Sequence, residues 1–220
     1  MPRSEIDHIA VAAPTLEEGV SWVRERLGVE PLPGGRHERM GTHNFLMRLG
    51  EKLYLEVIAT DPAAPDPGRP RWFDLDRNTC VGLRTWVART DDIHAASMGG
   101  AWPGTPERMT RGALHWMISV SADGSMPMDG IAPTLIQWPA GVQHPASGMP
   151  ELGCSLVKLE GFHPEAATIA TMLERIGFAG PFTVSKSTRP RLVAHVSTPA
   201  GMRRLESSTA SSTEVHHGSS

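Results

Sequence analysis

The chain has 220 residues, 40% of them hydrophobic and 20% charged, with a net charge of -3. This is the composition of a globular protein long enough to bury a core without staples, and it excludes a disordered chain. No basic excess exists to neutralise a phosphate backbone, so no nucleic acid is expected as a partner. No apolar run reaches the ~20 residues of a spanning helix and no secretory signal opens the sequence, so no membrane is expected either. Cys80 and Cys154 lie far apart and read as reduced thiols, buried as small hydrophobes in a cytoplasmic protein.

The segment from Ile6 to Ala12 alternates as a strand, with Ile9 and Val11 on one side and His8 and Ala10 on the other. A helix follows. Thr15 and Glu18 form a capping box, Leu16, Val20, Val23 and Leu27 make one apolar stripe, and Gly28 is the stop. Three strands come next, from Gly34 to Met40, Asn44 to Leu49 and Leu53 to Ile58, the last two joined by the hairpin residues Gly50-Glu51-Lys52. Residues 1–60 therefore form a β-α-β-β-β module. Residues 61–80 are a connector, acidic and proline-rich at its start, with a short amphipathic stretch around Trp72 and Leu75.

The same order repeats over residues 81–140. Arg84 to Arg89 is a strand, and Asp91-Asp92 caps a short helix that stops at Gly99-Gly100. Strands from Glu107 to Arg111, Leu114 to Val120 and Thr134 to Trp138 complete the module. Laid over the first module, Thr85 falls on His8 and Gln137 on Glu56. A third, partial βαββ copy occupies 151–206: a strand from Ser155, a helix opened by Pro164, and a closing hairpin of Arg191 to Ser197 and Gly201 to Glu206. Residues 207–220, rich in Ser and Thr, read as a disordered tail. The expected fold is α+β: tandem βαβββ modules with a third partial module beside them.

Several short pieces carry a family resemblance. They are Asp7-His8-Ile9, Arg26-Leu27-Gly28-Val29, Gly34-Gly35-Arg36-His37, Gly41-Thr42-His43-Asn44, Tyr54-Leu55-Glu56 and Arg69-Pro70-Arg71-Trp72-Phe73. Thr85 to Asp92, Leu135-Ile136-Gln137-Trp138 and His144-Pro145 complete the set. Together they resemble the vicinal oxygen chelate superfamily, and within it the glyoxalase-like domain family. The resemblance implies paired modules whose sheets curve into a cup. It also implies a divalent metal (Zn, Ni, Fe or Mn) held by residues on the first and last strand of each module.

Strand alternation puts His8 and Glu56 on cup-facing positions, where they look like the metal ligands of the first module. The second module supplies only Thr85 and Gln137, poor ligands for such a metal, with His115, His43 or His37 as possible additions. Without a metal, His8 and Glu56 would hydrogen-bond each other. Glu56 and His43 are the candidate catalytic residues, moving a proton. His37, Asn44, Trp86, Trp116 and Gln137 are the candidate substrate-binding residues. Trp72 and Trp138 belong to the same group of rings suited to a pocket, and core packing under the sheet accounts equally for Trp86 and Trp116. His115 reads as a core histidine and His144 as structural. Arg84, Arg89, Arg108 and Arg111 cluster in the second module, as a solvated face or as partners for a substrate carboxylate. The expected function is a lyase, isomerase or dioxygenase acting on a small oxygenated molecule. The other reading is a metal-free cup that sequesters a small molecule. A homodimer is compatible with either.

Overall fold

The computed structural model describes residues 2–98, 102–112 and 114–208. The first unit runs β1 (Ser4–Ala12), α1 (Leu16–Leu27), β2 (Leu32–His37), β3 (Thr42–Gly50) and β4 (Leu53–Thr60). The second runs β5 (Gly82–Thr90), α2 (Ile93–Ser97), β6 (Thr105–Arg111), β7 (Leu114–Val120) and β8 (Thr134–Gln137). Their strands form one curled sheet in the order β2-β3-β4-β1-β5-β8-β7-β6. Read from either edge inwards the order is the same. In each half the first strand lies parallel to the last, and the halves meet where β1 and β5 run antiparallel.

Local chemistry sets the helices. Thr15 Oγ1 accepts from the Glu18 N–H at 3.3 Å, and Gly28 adopts the left-handed conformation (φ 70°) that ends α1. Asp92 caps α2 by accepting from the Ala95 N–H. The Gly99-Gly100 stop lies outside the described residues.

Period-two alternation sorts the sheet residues into two cores. Ile9, Val11, Leu55, Val57, Leu83 and Trp86 face α1 and the third unit. Ala12, Ile58, Val87, Trp116, Ile118 and Ile136 face the opposite, inner side. No helix among the described residues is long and apolar enough to cross a membrane.

The third unit holds a full set of elements. It runs β9 (Ser155–His163), α3 (Ala166–Arg175), β10 (Phe182–Lys186), β11 (Arg191–Thr198) and β12 (Gly201–Glu206). Sequence reading omits β10, which is short and mostly solvent-facing. The pairing also differs from that of the first two units: the sheet order is β10-β9-β11-β12, so α3 joins two neighbouring parallel strands. This unit packs on the helix side of the large sheet, and Trp86 anchors it. The indole is fully buried, its ring centroid lies 5.2 Å from that of Phe178 and 4.7 Å from that of Phe182, and Nε1–H donates to the Ile131 carbonyl at 2.9 Å. Cys80 is exposed and Cys154 half-buried, so neither is the fully buried hydrophobe expected. Of the tail from 207, residues 209–220 lie outside the described residues.

Candidate active site

Alternation alone would send Asp7 and His8 to opposite faces of β1. The strand is bulged there: Ile6 opposes Ala88 while His8 opposes Val87, two steps on β1 for one on β5. A bulge re-aims side chains, and Asp7 Oδ1 lies 2.7 Å from His8 Nδ1. The other oxygen, Oδ2, accepts from Trp138 Nε1–H at 2.8 Å and from His144 Nε2–H at 3.0 Å. The tautomer of His144 follows from its second nitrogen, which accepts the Ala146 N–H at 3.2 Å. Asp7 is completely buried, and burial by itself would raise its pKa. The hydrogen bonds and charges of His144 and His8 outweigh that and hold the carboxyl well below the usual carboxylate range. Asp7 is therefore ionised at neutral pH, and His8 Nδ1 carries the proton it shares with that carboxylate.

The far nitrogen of His8 faces the inner side of the sheet. His8 Nε2 lies 3.5 Å from Glu56 Oε2, both side chains being almost fully buried. Glu56 Oε1 accepts from Asn44 Nδ2 at 2.5 Å. The Asn44 amide is oriented from its other end, where Oδ1 accepts from the Gly35 N–H at 2.8 Å and from Arg111 Nη1 at 3.4 Å. Tyr54 stacks on His8 with ring centroids 4.6 Å apart. Its phenol stays protonated, because burial and the charges of Asp7 and Glu56 push its pKa well above the ordinary value. His37 meets the Thr42 hydroxyl at 3.1 Å. Burial pulls its pKa down to about 4, against the charge of Glu56 and with the help of Arg111 and His8, so its imidazole is neutral at neutral pH.

These groups surround a cavity walled by Trp72, Phe73, Trp116 and Trp138, with His8, His37, Glu56 and Arg111 as its polar lining. Its volume is about 20 Å³, room for about one water molecule. The segment Trp72–Arg77 closes one side, and two consecutive residues in it, Phe73 (φ 58°) and Asp74 (φ 56°), hold left-handed backbone. Such conformations cost energy in non-glycine residues and gather at functional sites.

The structure thus brings His8, Glu56, His37 and Trp116 around one cavity, with Asn44 directly behind Glu56. Three other candidates fall elsewhere. His43 opposes Ala59 and shares the helix-side face with Phe45, so it cannot reach the proton-transfer position assigned to it. Trp86 is the anchor of the third unit. Gln137 is on the helix side too: its side chain accepts from the Ile93 N–H and donates to the Asp91 carbonyl, both at 2.9 Å. Asp7, Tyr54, Arg111 and His144 are groups of the site that sequence reading did not single out for it. Asp7 was hidden because a bulge leaves no pattern in the sequence. Arg111 was visible only as one of four arginines, and His144 only as a connector residue.

A divalent metal would take its remaining ligands from the second half of the sheet. The second half supplies little. His8 opposes Val87 across the junction of the halves, and Ile136 lines the cavity; neither has a side-chain donor atom. Gln137 is turned to the helix side with both ends of its amide engaged, and Thr85 and Thr134 offer only hydroxyls, poor ligands for such a metal. Among the described residues no three His, Cys, Asp or Glu side chains are placed to hold a metal ion. The residues present do not fit a zinc, nickel, iron or manganese centre.

The family described as Glyoxalase-like domain matches residues 6–177 of this sequence. The chain belongs to the glyoxalase-like domain family. Strands β10 to β12 lie beyond the matched region. Among solved structures, one described as a hypothetical protein from Staphylococcus aureus shares the fold, with a TM-score of 0.62 at 13% identity, covering 85% of this chain and 87% of that one. Methylmalonyl-CoA epimerase of Streptomyces coelicolor aligns with a TM-score of 0.40 at 18% identity over 61% of this chain and 97% of its own. The corresponding epimerase from Mycobacterium tuberculosis aligns with a TM-score of 0.35 at 14% identity over 60% and 85%. No curated protein matches the sequence.

Proposed function

We propose that the protein is an enzyme that moves a proton on a small oxygenated carbon acid without a metal, in the manner of an isomerase or lyase. The observation that carries this reading is the buried line Asp7–His8–Glu56. A fixed anion orients His8 at one nitrogen, and the other nitrogen faces a second carboxylate at 3.5 Å beside a cavity. Asn44 occupies Glu56 Oε1, so Oε2 is the oxygen left to act as base. In the proposed step Oε2 takes a proton from a carbon next to a carbonyl group. The C–H electron pair moves onto the carbonyl oxygen as an enolate. Return of that proton to another face or atom, from Glu56 directly or after Glu56 passes it to His8 Nε2, completes an isomerisation; collapse of the enolate with expulsion of a leaving group and its bonding electron pair from the neighbouring carbon completes an elimination. Aromatic walls exclude water and strengthen each of these electrostatic contacts.

The test is deuterium wash-in, followed by proton NMR, on a panel of small 2-oxo and 3-oxo acids. Wild type is expected to exchange the carbon-bound proton of at least one compound. Glu56→Gln, which keeps volume and loses basicity, is expected to lose that exchange while its melting temperature still rises with the compound. Binding without exchange in wild type would overturn the enzyme reading in favour of a sequestering cup.

A further inference from the structure

We propose that Arg111 is the anchor for a carboxylate of the substrate and that Gly34-Gly35 exist to admit it; this rests on the reading above and names its substrate class. Arg111 comes from β6, the edge strand of the second half, yet its side chain lines the cavity floored by His8 and Glu56 of the first. Among the described residues it is the one arginine on that cavity, and no lysine lines it. Neighbouring arginines are committed elsewhere: Arg39 and Arg69 both bind Glu107, at 2.6 and 2.7 Å, and Arg71 binds Asp76 at 2.6 Å. Arg111 has only the neutral Asn44 oxygen at 3.4 Å and, among the described residues, no ion pair. Five N–H donors in a planar fork match a carboxylate bidentately. A guanidinium on an aromatic-walled cavity, with no carboxylate within ion-pair distance among the described residues, gains from an anionic ligand.

The glycine pair supplies an independent observation. Neither residue has a positive φ, so neither is required by the backbone conformation. A Cβ on Gly34 would lie 2.2 Å from Asn44 Oδ1, and one on Gly35 would lie 2.8 Å from Arg111 Cδ. Arg111 lines the cavity, and Asn44 stands directly behind its Glu56. The Gly35 N–H also donates to Asn44 Oδ1 at 2.8 Å. The glycines therefore make room for a chain of polar contacts that runs from Arg111 through Asn44 to Glu56. A carboxylate seated on Arg111 would bring its neighbouring carbon into the cavity that Glu56 and His8 line.

Calorimetric titration with pyruvate, malonate and oxalate, against the neutral methyl pyruvate, tests the anchor. Wild type is expected to bind at least one of the anions and to prefer it to the neutral ester. Arg111→Met is expected to weaken that binding by about tenfold or more, the worth of a charged hydrogen bond. Gly35→Ala keeps the charge but displaces the arginine stem, and is expected to weaken anion binding as well; it also covers the case in which Arg111→Met fails to fold. Preference for the ester, no anion binding at millimolar concentration, or undiminished binding in either variant would overturn the proposal. Anion binding that depends on Arg111, with no deuterium exchange on any bound compound, would leave the anchor standing and remove the proton-transfer reading alone.

Discussion

Two histidines and an indole converge on Asp7, and its charge is what they share. Asp7→Asn would leave donors facing an amide, and loss of one partner in a buried charged network costs about 3–5 kcal/mol. Because the folded pKa of Asp7 is depressed, its contribution is complete above the unfolded value of 3.8 and is lost as pH falls below it. Urea denaturation should show a constant gap between wild type and Asp7→Asn above about pH 5 and a narrowing gap in stronger acid. A gap independent of pH would contradict the assignment of charge. His37 acts in a higher window. Its folded pKa of about 4 lies below the unfolded 6.5, so between these values the unfolded chain takes up a proton that the folded one refuses. Wild type is expected to lose roughly 3 kcal/mol from this group as pH falls through that window, and His37→Gln to remove that slope. His8 and Glu56 were legible in the sequence because alternation along two strands is enough to place them. Asp7 was not, since its orientation depends on a bulge set by pairing with β5.

Trp86 shows how an element can mislead. It follows Thr85 on β5, and rings of its kind suit pockets, yet the parity of the strand turns it to the helix side. There it fills the space between the large sheet and the third unit. Trp86→Ala is expected to cost about 3–5 kcal/mol of unfolding free energy, the usual range for a deleted core aromatic. Ligand affinity per folded molecule should not change. A stable Trp86→Ala protein with impaired binding would place this residue back in the site. Gln137 errs by the same logic: counting from the end of a strand misses the face by one position, and one position is a whole side of the sheet. The helices and the tandem order were readable because caps and apolar stripes are local. The pairing of β10 with β9 was not, because topology depends on which sheet edge is free.

At the scale of the molecule, the two halves have divided their labour. The first supplies Asp7, His8, Asn44 and Glu56; the second supplies Arg111, Trp116, Ile136 and Trp138. The connector supplies Trp72 and Phe73 as one wall of the cavity. A metal was a fair expectation from His8 and Glu56 alone. Among the described residues no third His, Cys, Asp or Glu completes such a centre, and the proposed site is an asymmetric, organic one. The central claim is that this site works without a metal. The most direct measurement is deuterium exchange on a bound carbon acid, made with wild type before and after exhaustive chelation and again after adding Zn, Ni, Fe or Mn. The account predicts an exchange rate unchanged by chelation and by each added ion; a rate abolished by chelation and restored by one metal would contradict it.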